Sequence, residues 1–266
     1  MVGSSVSCNW FLNTNRVTRS QYVSILKKYT DDYYKFITLS SVRKSGYEFV
    51  PRNKDDKEYS NKARSPDADE KMAQAISRAK SKIFEIAMCN DFKYFFTGTI
   101  SPDHEFRYDL EVFHKKLTIF IRNYNRLSGA NVKYVLIPEK HQDGAIHIHG
   151  LLLGIRSQDL VINEYGYLDW VQYRRSFGFM SLSEIKDKEA CCRYITKYVS
   201  KDFATAGVGQ HLYYCSRGLK RSVEVVRDNF DTQDVVYDYD HENFCKVKNL
   251  TGDQVYDFLR DLPVCR

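Results

Sequence analysis

Residues 145–153 read Ala-Ile-His-Ile-His-Gly-Leu-Leu-Leu, and few folds can accept such a run. It is apolar enough to be a strand, where successive side chains alternate between the two faces of a sheet. Ile146 and Ile148 then point one way, and His147 and His149 point the other. The chain therefore needs a sheet with an apolar layer beneath this strand. The same strand holds two imidazoles side by side, one half of a ready-made metal site. Burying two unpartnered imidazoles would cost roughly 1–3 kcal/mol each, so a metal or phosphate role is the favoured reading of the pair.

A second strand is expected over 131–138, and residues 140–144 (Lys-His-Gln-Asp-Gly) read as the hairpin turn that joins the two. A third metal ligand should lie on this neighbouring strand, with Glu139 and His141 as the candidates. If the loop is Gln142-Asp143-Gly144 with Gly144 left-handed, His141 faces Ala145 and Glu139 faces His147, on the histidine side. A two-residue Asp143-Gly144 turn would put Glu139 opposite Ile148, on the wrong face. The three-residue loop is the favoured register. Two imidazoles, one carboxylate and open positions suit Mg²⁺ or Mn²⁺, and zinc or cobalt would also fit.

The rest of the chain supplies the frame. A strand is expected over 33–42 and a charged, solvated loop over 52–64. Ser65-Pro66 reads as the start of a helix that runs to about Ala87. A strand follows over 93–100 (KYFFTGTI), then an amphipathic helix over 106–127, with Leu110, Phe113, Leu117, Phe120, Ile121 and Tyr124 on one face and Ser128-Gly129 closing it. Asp187 is expected to cap a helix to about Phe203. A strand at 222–226 and a helix at 254–259 complete the reading. This order predicts an α+β fold, a central antiparallel sheet with helices packed on one face. The expected organisation is an N-terminal extension over 1–70 packed on a core of 71–221, with a C-terminal extension over 222–266.

Composition narrows the class. The 266 residues carry a net charge of +6, seven cysteines without a CxxC pair, and 36 Tyr and Phe side chains. A structural zinc site is disfavoured by the cysteine spacing, and a reducing, cytoplasmic compartment is expected. There is no signal pattern, no membrane-length apolar run and no Walker-type glycine loop, so neither a membrane nor a nucleotide cofactor is expected. Basic and aromatic residues in this mixture suit single-stranded nucleic acid.

The second chemical constellation is Tyr194-Ile195-Thr196-Lys197-Tyr198-Val199-Ser200-Lys201. On a helix Tyr194, Lys197, Tyr198 and Lys201 share one face. A phenol is a poor nucleophile near neutral pH because its pKa is about 10, and a nearby ammonium lowers that value and offsets phosphate charge. A metal that polarises the scissile phosphate would complete a route to a covalent phosphotyrosine.

Together these segments resemble the HUH endonucleases, specifically the two-tyrosine rolling-circle replication initiators of small single-stranded DNA phages and related plasmids. FFTGTI (95–100) is similar to the family's first motif, IHIHG (146–150) to the metal-binding second, and YITKYVSK (194–201) to the third. The stretches PEKHQDGAIHIHGLLL (138–153) and YYCSRGLKRS (213–222) resemble phage initiators as well, and the similarity spans roughly 75–221. The resemblance implies an RRM-like palm in which His147 and His149 bind the metal. It implies that Tyr194 and Tyr198 alternate as nucleophiles, with Lys197 and Lys201 assisting. Single-stranded origin DNA would be the substrate, and a host helicase and replication machinery the partners. The third ligand varies in the family, so Glu139 rests on the turn geometry alone. A non-catalytic single-stranded nucleic-acid-binding protein, a metal-dependent phosphoesterase without a covalent step, or a relaxase or transposase of another mobile element are the competing readings.

Overall fold

The computed structural model of the chain describes residues 23–39, 67–199, 211–241 and 245–264. The chain divides into two compact units, residues 64–221 and a second that joins residues 1–63 to 222–266. Strands β1 (Ser24–Thr30) and β2 (Tyr33–Leu39) belong to the second unit. The expected strand over 33–42 is thus seen to Leu39, and its last residues lie outside the described ones. The expected charged loop and the Ser65-Pro66 helix start lie outside them too.

Unit 64–221 begins with helix α1 (Asp67–Cys89), whose apolar residues Ile76, Ile83 and Ile86 are buried. Strand β3 (Tyr94–Thr99) follows. The helix expected over 106–127 is divided. A 3₁₀ turn over Glu105–Tyr108 precedes α2 (Leu110–Ser128), because Asp109 adopts an extended backbone and its carboxylate accepts from the Val112 N–H at 3.0 Å. Gly129, at φ 70°, ends α2 in the left-handed conformation. Strands β4 (Lys133–Lys140), β5 (Ile146–Leu153), β6 (Leu160–Ile162) and β7 (Leu168–Trp170) come next, then α3 (Val171–Phe177), β8 (Met180–Glu184), α4 (Lys188–Ile195) and β9 (Tyr214–Cys215). The seven strands form one antiparallel sheet in the order β6-β7-β8-β3-β5-β4-β9.

The fold class is the expected α+β one, but the helices occupy both faces of this sheet. Phe113, Leu117, Ile121 and Tyr124 of α2 and Tyr173 and Phe177 of α3 pack with Phe96, Leu136, Ile148 and Leu152 on one face. The opposite face also carries apolar side chains, Val135, Ile137 and Leu151, all essentially without solvent exposure. That face needs its own cover; α4 and the turn after it lie over it, and α1 packs against them. The histidines therefore sit on a partly covered face.

In the other unit, β1 and β2 pair with β10 (Val223–Asp228), β11 (Tyr239–His241) and β12 (Cys245–Leu250) in the order β10-β1-β2-β12-β11. Helix α5 (Gln254–Arg260) supplies Val255, Phe258 and Leu259 to a small core of Leu26, Phe36, Phe230, Leu250 and Leu262. The segments read separately as N- and C-terminal extensions thus contribute strands to a single sheet. Among the described residues no helix is long and apolar enough to cross a membrane.

Candidate active site

The hairpin turn fixes the first half of the site. Gly144 is left-handed at φ 82°, His141 N–H donates to Ala145 O at 2.9 Å, and Gly144 N–H donates to His141 O at 2.9 Å. Asp143 accepts from the Ala145 N–H and from the Arg107 guanidinium, each at 3.0 Å, and these bonds hold its carboxyl below the usual carboxylate range. Glu139 therefore pairs with His147 and Ile137 with His149, which is the three-residue-loop register.

Strand β3 lies on the other side of β5, with Thr99 opposite His147 and Thr97 opposite His149. The Thr99 hydroxyl is 2.9 Å from His147 Nδ1, and the Thr97 hydroxyl is 3.4 Å from His149 Nδ1. Gly98 between them faces the α2 side, where a Cβ would lie 2.5 Å from Phe96 Cζ and 2.9 Å from Tyr173 Oη. Both threonines keep their side chains on the histidine face.

Glu139 Oε2 lies 3.0 Å from His149 Nε2, and the His141 and His147 rings are 4.5 Å apart. Burial pulls both paired imidazoles down to about 4; His149 and His141 add to the effect at His147, and His141 adds to it at His149. Both are neutral at pH 7, the form that ligates a metal. The three side chains fit a divalent cation in donor chemistry and in the face they share. Among the described residues, however, no three His, Cys, Asp or Glu groups already converge on one coordination point. Glu139 is engaged with His149 instead.

The tyrosines come from α4. Asp187 caps this helix by accepting from the Ala190 N–H at 2.9 Å, as expected. The helix does not run on to Phe203. It ends at Ile195 and tightens into a 3₁₀ turn over Thr196–Tyr198, where the Thr196 hydroxyl bonds back to Arg193 O at 2.7 Å. Residues 200–203 and the expected Lys201 lie outside the described ones. The tightened turn still brings the two phenols together, with hydroxyl oxygens 2.7 Å apart. Tyr198 stacks on His149 with ring centroids 3.5 Å apart, whereas Tyr194 is 46% exposed. Burial, and then the bond to Tyr194, push the Tyr198 phenol up. Lys197 Nζ lies over the Tyr194 ring, 5.4 Å from its centre.

Sequence reasoning put the histidines, Glu139, Lys197 and both tyrosines forward, and the fold brings them into one neighbourhood. It missed Phe95, whose ring lies 5.5 Å from Tyr194, 6.2 Å from Tyr198 and 6.1 Å from His149. It also missed Thr97 and Thr99. Alternation within FFTGTI places these three residues on one face, a signal available once that segment is paired with the histidine strand.

Residues 93–203, from β3 through the tyrosine turn, match the family model of the Replication-associated protein (ORF2) family. No curated protein and no solved structure matches the chain.

Proposed function

We propose that this chain, whose residues 93–203 form a domain of the Replication-associated protein (ORF2) family, starts and ends rolling-circle replication by nicking and rejoining single-stranded origin DNA. The observation that carries this reading is the pair of phenols, 2.7 Å apart, with one of them stacked on the histidine pair. His147, His149 and Glu139 would hold a divalent cation, Mg²⁺ or Mn²⁺, which supplies positive charge to a scissile phosphate oxygen.

The attacking tyrosine oxygen forms a bond to phosphorus as the bond to the 3′ oxygen breaks. The phenol proton is lost and the departing 3′ oxygen gains one, leaving a 5′-phosphotyrosine and a free 3′ hydroxyl. The second phenol can donate a hydrogen bond to the developing phenolate, and the Lys197 ammonium favours the same charge. Two nucleophiles in contact allow one to hold a 5′ end while the other cuts, the requirement for releasing a unit-length circle. A host helicase would unwind the duplex.

The test is a denaturing gel of the protein incubated with origin-bearing single-stranded DNA and Mn²⁺. A DNA adduct that survives denaturation and is lost with chelator is expected. Either Tyr194→Phe or Tyr198→Phe should leave cleavage but impair strand transfer, and the double variant should give no adduct. Adducts in the double variant would place the nucleophile elsewhere.

A further inference from the structure

Beside Tyr194, on the side away from the histidines, lies an open cleft of about 570 Å³. Its lining includes the rings of Phe95 and Tyr194, the apolar side chains of Ile185 and Ala190, and Lys186 and Arg193. His147, His149 and Tyr198 are not among its lining residues. The volume falls within the ~300–1,000 Å³ usual for small-ligand sites. Aromatic and aliphatic walls suit the faces of a nucleobase, and cations suit the phosphates on either side of it. Glu184 and Asp187 also border the cleft and offer acceptors to a base with exocyclic amino groups.

We infer that this cleft seats one nucleotide of the DNA strand, the one whose 5′ phosphate becomes joined to Tyr194. The occupancy by a nucleotide follows from the lining; which nucleotide it is rests on the nicking reading. In an in-line displacement the leaving 3′ oxygen departs on the side opposite the attacking phenol. The fragment that leaves therefore moves away from Tyr194, and the nucleotide that stays is tethered within one phosphate of it. The cleft shares Tyr194 as a wall, so the retained base falls into it. The same seat gives the protein a means of choosing the base on the 3′ side of the nick without a motif that reads duplex DNA.

Ala190 is exposed on α4 and lines the cleft, so Ala190→Trp fills it without touching either histidine. Lys186→Glu reverses one charge at its rim. Ile119→Trp, on the exposed side of α2, controls for an added surface indole, and circular dichroism checks that each variant is folded. Fluorescence anisotropy with a short thymidine oligonucleotide in chelator reads binding without cleavage. Loss of one stacked base, ~1–3 kcal/mol, corresponds to a roughly 5- to 150-fold weaker Kd for A190W. K186E is expected to weaken binding in the same direction, and I119W to bind as the unaltered chain does.

A second measurement uses the Tyr198→Phe chain with a random single-stranded pool and Mn²⁺, and sequences the DNA recovered from adducts. A preference at the first nucleotide joined to the protein is expected, and A190W should change it. Unaltered oligonucleotide affinity in A190W overturns the cleft assignment, whatever the adduct experiment gives. Weakened affinity with no adduct in any chain would keep the nucleotide seat and refute the nicking chemistry.

Discussion

Replacing Thr99 by valine separates positioning of the histidines from their presence. Valine keeps the shape and the β-branching of threonine, so β3 and its pairing should survive. What is lost is the hydroxyl 2.9 Å from His147 Nδ1. Partners of this kind hold a ligating imidazole in one tautomer and orientation, and their removal typically costs 10–100-fold in metal affinity, or about 1.4–2.7 kcal/mol at 1.4 kcal/mol per decade. The cost to folding is smaller, about 1 kcal/mol for a net hydrogen bond. Thr97 provides an internal scale. Its hydroxyl stands 3.4 Å from His149 Nδ1, beyond good hydrogen-bond range, so Thr97→Val should lose less than about threefold, near the ~0.5 kcal/mol lower end. Titration calorimetry with Mn²⁺ on the DNA-free protein measures both, and Thr99→Ser should restore most of the affinity. Equal affinities for the unaltered and T99V chains would refute the positioning role. A larger loss in T97V than in T99V would refute its geometric basis.

Three further outcomes follow from the same geometry. Glu139→Gln keeps an acceptor for His149 and removes the charge; Mn²⁺ affinity should fall while the urea midpoint stays within about 0.5 kcal/mol, and unchanged Mn²⁺ binding would transfer the ligand role to His141. Because the folded imidazoles of His147 and His149 titrate near 4 instead of 6.5, the unfolded chain binds more protons between those values. Stability is then full above pH 6.5 and declines as pH falls toward 4, by at most about 3 kcal/mol for well-buried His149 and less for half-buried His147, at about 1.4 kcal/mol per pH unit; urea midpoints across this range should fall, and His149→Gln should flatten the fall. Gly98→Ala forces a Cβ against Phe96 and the buried Tyr173 hydroxyl, an overpacking cost of about 1–3 kcal/mol, and an unchanged melting temperature would contradict that contact.

Local chemistry was readable from the sequence, and long-range pairing was not. The hairpin register followed from one glycine and the alternation around it, because a three-residue turn leaves a single way to align Glu139 with His147. The tyrosine pair was legible as helical spacing, although the turn that brings the hydroxyls together is tighter than an α-helix. The end of α4 escaped notice because Thr196 and Val199 each weaken a helix only slightly. Asp109 was missed as a cap because the apolar periodicity before it continues unbroken from Phe106. Phe95, Thr97 and Thr99 have a common face by parity, but nothing local says that their strand lies against the histidines. The same holds for β1 and β2, whose partners in one sheet come from the opposite end of the chain.

The bond between Glu139 and His149 has a consequence for proton inventory. A carboxylate only accepts, so His149 Nε2 carries the hydrogen and Nδ1 is left with a lone pair toward the Thr97 hydroxyl. A cation arriving at Nε2 must find that hydrogen gone. The imidazole can shift it to Nδ1, because a hydroxyl serves as donor to one tautomer and as acceptor to the other. Cation entry is then an exchange of partners within the ring, with Glu139 released as a ligand in the same event. The metal-free protein leaves no imidazole of the pair unsatisfied, and the site rests closed on itself until an ion competes for the hydrogen's place.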